Sequence, residues 1–137
     1  MYAGLPKSAF HLSKQLPPYG ENRVNIRSHG TDLFVDVLHD GPNDSPEQVL
    51  TLAFRQVCCF YFASVPGVNL LNIEYDKANL LSDVVEFEHS EAAKAWSEHR
   101  SWSKKQVRHF QAYFLSANNR LEVFAEELSC PSSDPLI

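Results

Sequence analysis

Apolar and polar residues alternate through "RVNIRSHGTDLFVDVLHD", residues 23–40. Val24 and Ile26 hold one phase, and Leu33, Val35 and Val37 resume it after a polar break at Ser28, His29, Gly30 and Thr31. A period of two around a glycine-bearing turn predicts a β-hairpin. The pattern changes in "GPNDSPEQVLTLAFRQVCCFYFASVPG", residues 41–67. Val49, Ala53, Val57 and Phe60 fit one helical stripe, and Leu50, Phe54, Cys58 and Tyr61 fit the next. Ser45 is placed to cap a helix, Pro46 suits its first position, and Gln48 has capping-box spacing to Ser45. Pro66 and Gly67 would end it. These signals predict a broad apolar helix packed on a sheet.

Two short strand-like runs follow, "NLLNIEYD" (69–76) and "LLSDVVEFEH" (80–89). After them comes "SEAAKAWSEH" (90–99), a short helix with Ser90 as N-cap and Ala92, Ala93 and Trp96 on one face. The last pattern, "VRHFQAYFLSANNRLEVFAEE" (107–127), alternates on both sides of Asn118 and Asn119. The order is ββ-α-ββ-α-ββ. It predicts an α+β fold, a mostly antiparallel sheet with two helices packed on one face. Residues 1–22, with three prolines and two glycines, are expected to be an extended arm, residues 23–129 a single domain, and residues 130–137 a polar tail.

With Asn118 and Asn119 at the centre of a type I′ turn, the final hairpin pairs Phe114 with Val123 and Ala112 with Ala125 on its inner face. The outer face sets Tyr113 across from Phe124, Gln111 from Glu126, Leu115 from Glu122 and His109 from Leu128. Aromatic anchors inside a polar ring are the make-up of interface hot spots. The candidate binding residues are therefore His109, Gln111, Tyr113, Glu122, Phe124 and Glu126.

Composition narrows the chemistry. At 137 residues, 44% hydrophobic and 12% aromatic, the chain can bury a core unaided. A net charge of −5 opposes general phosphate-backbone binding. Arg100, Lys104, Lys105 and Arg108 around Trp102 form a small basic stretch, read as loop solvation. Three cysteines, two of them adjacent, suit reduced thiols better than a disulfide framework. Neither a signal-peptide pattern nor an apolar run of spanning length is visible, so a cytoplasmic protein is expected. Six histidines lack local metal-ligand spacing, and no P-loop, dinucleotide fingerprint or nucleophile elbow occurs. No cofactor, metal or catalytic set is expected.

A small acidic domain without a catalytic motif is the profile shared by many bacterial immunity and antitoxin-type inhibitors, although no motif is matched. The expectation is a non-enzymatic protein-binding domain that occludes a basic partner; a homodimer through a sheet edge is compatible with this reading and with the alternative. The alternative is a small hydrolase or ligand-binding domain with His109 and Glu126 as acid-base pair.

Overall fold

The computed structural model describes residues 6–43, 45–64 and 83–130. Among these described residues there are seven strands: β1 (Pro6–Phe10), β2 (Arg23–His29), β3 (Asp32–His39), β4 (Gln48–Ser64), β5 (Val84–Phe87), β6 (Arg108–Phe114) and β7 (Asn119–Ser129). They form one antiparallel sheet in the order β1-β5-β6-β7-β4-β3-β2. One α-helix, α1 (Glu91–His99), lies between β5 and β6 in the chain, and a 3₁₀ turn (Leu12–Lys14) follows β1.

The predicted ββ-α-ββ-α-ββ fold with two helices is therefore corrected. Residues 48–64, read as the principal helix, are the longest strand of the sheet. The run is apolar almost throughout, so a stripe of period 3.6 and a row of period two both fit it, and its length favoured the helix. In the fold the period of two operates. Leu50, Leu52 and Phe54 are buried on one side, while Val49 and Thr51 sit on the other. The cap-like Ser45 instead closes a turn, its hydroxyl donating to the Pro42 carbonyl at 2.6 Å. Gly41 is needed beside it, because a Cβ there would lie 2.2 Å from the Ser45 hydroxyl. The strand-like run 69–76 lies outside the described residues.

β4 changes partners along its length. Gln48–Phe54 pair with β3, and Ala53–Ser64 pair with β7. The two ladders overlap only at Ala53 and Phe54. Just beyond, Gln56 takes φ +55° and the register slips between Val57 and Cys59, a β-bulge that lets so long a strand bend.

The core is made by the sheet itself. Leu33, Val35, Val37, Leu50, Leu52, Phe54, Phe110, Ala112, Phe114, Leu121, Val123 and Ala125 form one buried cluster with Leu12 and Val84. Ile26 of β2 and Phe10 of β1, from the two outer strands, pack on the same cluster. A sheet whose opposite margins meet one core must curl around it. The chain before β2 helps to close that core through Leu12 and Leu16. It is fastened by Asp83, which accepts from the hydroxyls of Ser8 and Ser13 at 3.0 Å each. Glu21 similarly accepts the Ala117 amide at 2.9 Å.

α1 covers part of the opposite face, where Ala92, Ala93 and Trp96 pack with Val107, Phe124 and Cys58. Ser90 is its N-cap, accepting the Ala93 amide at 3.1 Å. At the other end Arg100 ties the helix to the β4 bulge. Its guanidinium donates to the Gln56 carbonyl (3.0 Å), the Gln56 side chain (3.1 Å) and the Cys58 sulfur (3.1 Å). No helix among the described residues is long and apolar enough to cross a membrane.

Candidate functional site

The closing hairpin turns through four residues, Leu115–Asn118, with Asn118 at φ +55°. Val123 therefore faces Phe110 and not Phe114, a displacement of four positions (114 − 110) from the predicted register. Because the displacement is even, every side chain keeps its predicted face while its cross-strand partner changes. Tyr113 lies opposite Arg120, Gln111 opposite Glu122, and His109 opposite Phe124.

The new register assembles four of the six candidate residues, His109, Gln111, Glu122 and Phe124. His109 Nε2 lies 2.9 Å from a Glu122 carboxylate oxygen, and the Gln111 amide donates to the same oxygen at 3.1 Å. Arg120 Nη2 stands 3.6 Å from it. The hydrogen bond to His109 holds the Glu122 carboxyl below the usual carboxylate range, and the Arg120 guanidinium and the Gln111 amide add to the effect. The His109 ring is layered between Phe87 and Phe124, with centroids 4.8 and 4.3 Å away. Its Nδ1 meets the Ser90 hydroxyl at 2.7 Å. A carboxylate at Nε2 requires the ring proton there, which leaves Nδ1 of the neutral ring to accept from Ser90.

Phe124, stacked on His109, is also buried beneath α1. The remaining two candidates are placed differently: Tyr113 is half-buried, and Glu126 accepts from the Ser103 hydroxyl at 2.6 Å with Arg100 3.6 Å away. His109 and Gln111 are buried as well. Three of the four cations of the basic stretch are engaged by the fold: Arg100 holds the bulge, Lys105 pairs with Glu127, and Arg108 forks onto Glu86 at 2.7 and 2.9 Å, while Lys104 and Trp102 are exposed.

Besides Trp102 and Tyr19, single aromatic side chains elsewhere on the surface, the far part of β4 lies open. Tyr61 is 56% exposed and Phe60 43% exposed, and Cys59 beside them is also exposed. Consecutive strand residues point to opposite faces, so this end of the strand stands clear on both sides. Tyr61 is directly opposite Glu122, and the Arg120 guanidinium lies 5.7 Å from its ring centroid. On the other side, a cavity of ≈ 410 Å³ is lined by Gly30, Thr31, Leu33, Val57, Cys59 and Phe60, where β3 stops and β4 continues. Burial pushes the Cys59 thiol up, and Cys58 and Glu122 push it further, opposite to what a thiolate nucleophile needs. Among the described residues no group of three or more His, Cys, Asp or Glu could hold a metal ion.

Phe60 and Tyr61 were missed because a helical reading of 48–64 assigns them to buried stripes. The signal that would have found them is the uncharged stretch 56–64 read at period two. Comparison of the chain with protein-family models, with curated proteins and with solved structures finds no match.

Proposed function

We propose that this chain is a non-enzymatic protein-recognition domain whose contact surface is the projecting end of β4, with Tyr61 as anchor and Glu122 and Arg120 beside it. The supporting observation is the exposure of Tyr61 next to Phe60. A large aromatic ring bordered by fixed polar groups is the composition of an interface hot spot. The net charge of −5 adds that a basic partner would be steered toward the domain, as an immunity-type inhibitor requires. The test is capture from native lysate at low and high salt, with the wild type and Tyr61→Ala run side by side. One stoichiometric partner retained by the wild type and weakened about tenfold or more by Tyr61→Ala is the expected result. A partner held equally by both proteins, or none held by either, would overturn the assignment.

A hydrolytic reading has one observation in its favour: Ser90, His109 and Glu122 are linked in series at 2.7 and 2.9 Å, the order of nucleophile, base and orienting carboxylate. Ser90 also lines a cavity of ≈ 470 Å³ with Glu86, Lys94, Gln106 and Arg108. Its oxygen, however, is engaged as the cap of α1 and the residue is 6% exposed. Covalent labelling of Ser90 by a fluorophosphonate, lost in His109→Ala, would put this reading first.

A further inference from the structure

We infer that the open margin of β4 beyond the bulge is completed by the same margin of a second copy of this chain, giving a two-fold dimer with a continuous sheet. The inference rests on the reading of this strand end as a recognition surface and names one occupant for it.

The ladder to β3 ends at Leu33 and Phe54, and a last bond runs from the Val57 amide to the Thr31 carbonyl at 2.8 Å. From there to Ser64, β4 pairs with β7 on one side and, among the described residues, with nothing on the other. A row of strand amides and carbonyls left so is a template for another strand. Proteins ordinarily protect such margins with charges, prolines or short length. The two outer strands of this sheet are protected in that way. β1 is five residues long and carries Pro6 and Lys7, while β2 presents Arg23 and Arg27. Past its bulge at Val57–Cys59, β4 has no further protection of this kind. Residues 56–64, "QVCCFYFAS", contain no charge, no proline and no glycine.

Charge selects the occupant. A strand carrying Lys or Glu would set unpaired charge against this apolar margin, at a cost in desolvation. A second copy brings an identical uncharged strand. Antiparallel pairing about a two-fold axis also makes the contact self-complementary, so that it closes at two subunits and does not extend into a fibre. Phe60 and Tyr61 would then gain neighbours on opposite faces of the joined sheet. Tyr61 would border its counterpart, so one recognition patch would span both copies.

The test is light scattering coupled to size exclusion on the full chain, from low to high micromolar concentration. Wild type, Phe60→Lys and Val49→Lys are compared, with circular dichroism to establish folding. Both substituted positions are exposed, so the substitutions leave the core intact. The expected result is twice the monomer mass for wild type and Val49→Lys, and the monomer mass for Phe60→Lys. Amide exchange across residues 58–64 of the wild type should slow as concentration rises, which reads the same contact without a substitution. A wild type that stays monomeric throughout, or a Phe60→Lys that stays dimeric, would overturn the inference. Partner capture by Tyr61 is scored separately: a monomer that still loses its partner in Tyr61→Ala leaves the recognition reading standing alone.

Discussion

Ser90 and His109, separated by 19 positions in the chain, meet at 2.7 Å, and through this contact the cap of α1 is bonded to the sheet beneath it. The same hydroxyl accepts the Ala93 amide, so one oxygen both starts the helix and docks it. Ser90→Ala removes a cap, at about 1 kcal/mol, and leaves a buried histidine nitrogen without a partner, at about 1–3 kcal/mol. Ser90→Thr keeps the oxygen and should recover most of the loss. Urea unfolding of the three proteins measures both differences, and equal midpoints for Ala and wild type would show that the contact contributes nothing.

Glu122 makes stability depend on acid. Its carboxyl is held below its ordinary value, 4.5, by the bond to His109, and Glu86 is lowered by Arg108 in the same sense. A group depressed on folding contributes its full stabilisation above the unfolded value and loses it as pH falls through the folded one. Stability should therefore decline from about pH 5 downward. Glu122→Gln should be less stable than wild type at neutral pH and show a shallower decline. Urea midpoints across that interval decide it; parallel curves for the two proteins would remove Glu122 as a source.

Arg100 should matter far more than its exposed counterparts. Its side chain is 13% exposed and serves three acceptors at the bulge, whereas the Lys7–Glu88 pair is about half exposed on each side. Arg100→Ala is expected to cost about 1–3 kcal/mol, since it leaves the buried Glu126 carboxylate without its cation. Arg100→Lys should recover little, because a point charge cannot reproduce the fork. Lys7→Ala should change stability by less than about 0.5 kcal/mol. Similar losses for Arg100→Ala and Lys7→Ala would show that the bulge does not depend on the helix.

The β2–β3 turn sets a local test. His29 pairs with Asp32 across Gly30 and Thr31, and Gly30 takes φ +62° while Thr31 does not, the sign pattern of a type II′ turn. A Cβ at Gly30 meets nothing within 4 Å, so any penalty is one of backbone conformation alone. Gly30→Ala should cost about 1–2 kcal/mol, a fall of roughly 3–8 °C in Tm. An unchanged Tm would mean that the turn relaxes to another geometry.

Much of the β architecture could be read from alternation, because half-buried strands separate their residues by face. Val24, Ile26, Leu33, Val35 and Val37 announced the first hairpin in that way, and Ser90 marked the start of α1. The strand 48–64 could not be recognised, since a strand apolar on nearly every residue erases the alternation that identifies it. The candidate site was half legible for the same kind of reason. Parity assigned His109, Gln111 and Glu122 to one face, but only the turn length decides which of them touch, and Asn118-Asn119 fitted two lengths. Ser90 and Arg100 were invisible as partners because they approach from outside the hairpin.

The two-residue overlap of the ladders on β4 has a consequence for cooperativity. Among the described residues the strand ladders on the β3 side are joined to those on the β7 side through β4 alone, the shared core apart. The β2–β3 hairpin with the first half of β4 can thus open as one unit, while the block of β1, β5, β6 and β7 keeps its own pairing. Native-state exchange should resolve two sets of amides with distinct opening free energies, and the boundary between them should fall within β4 itself.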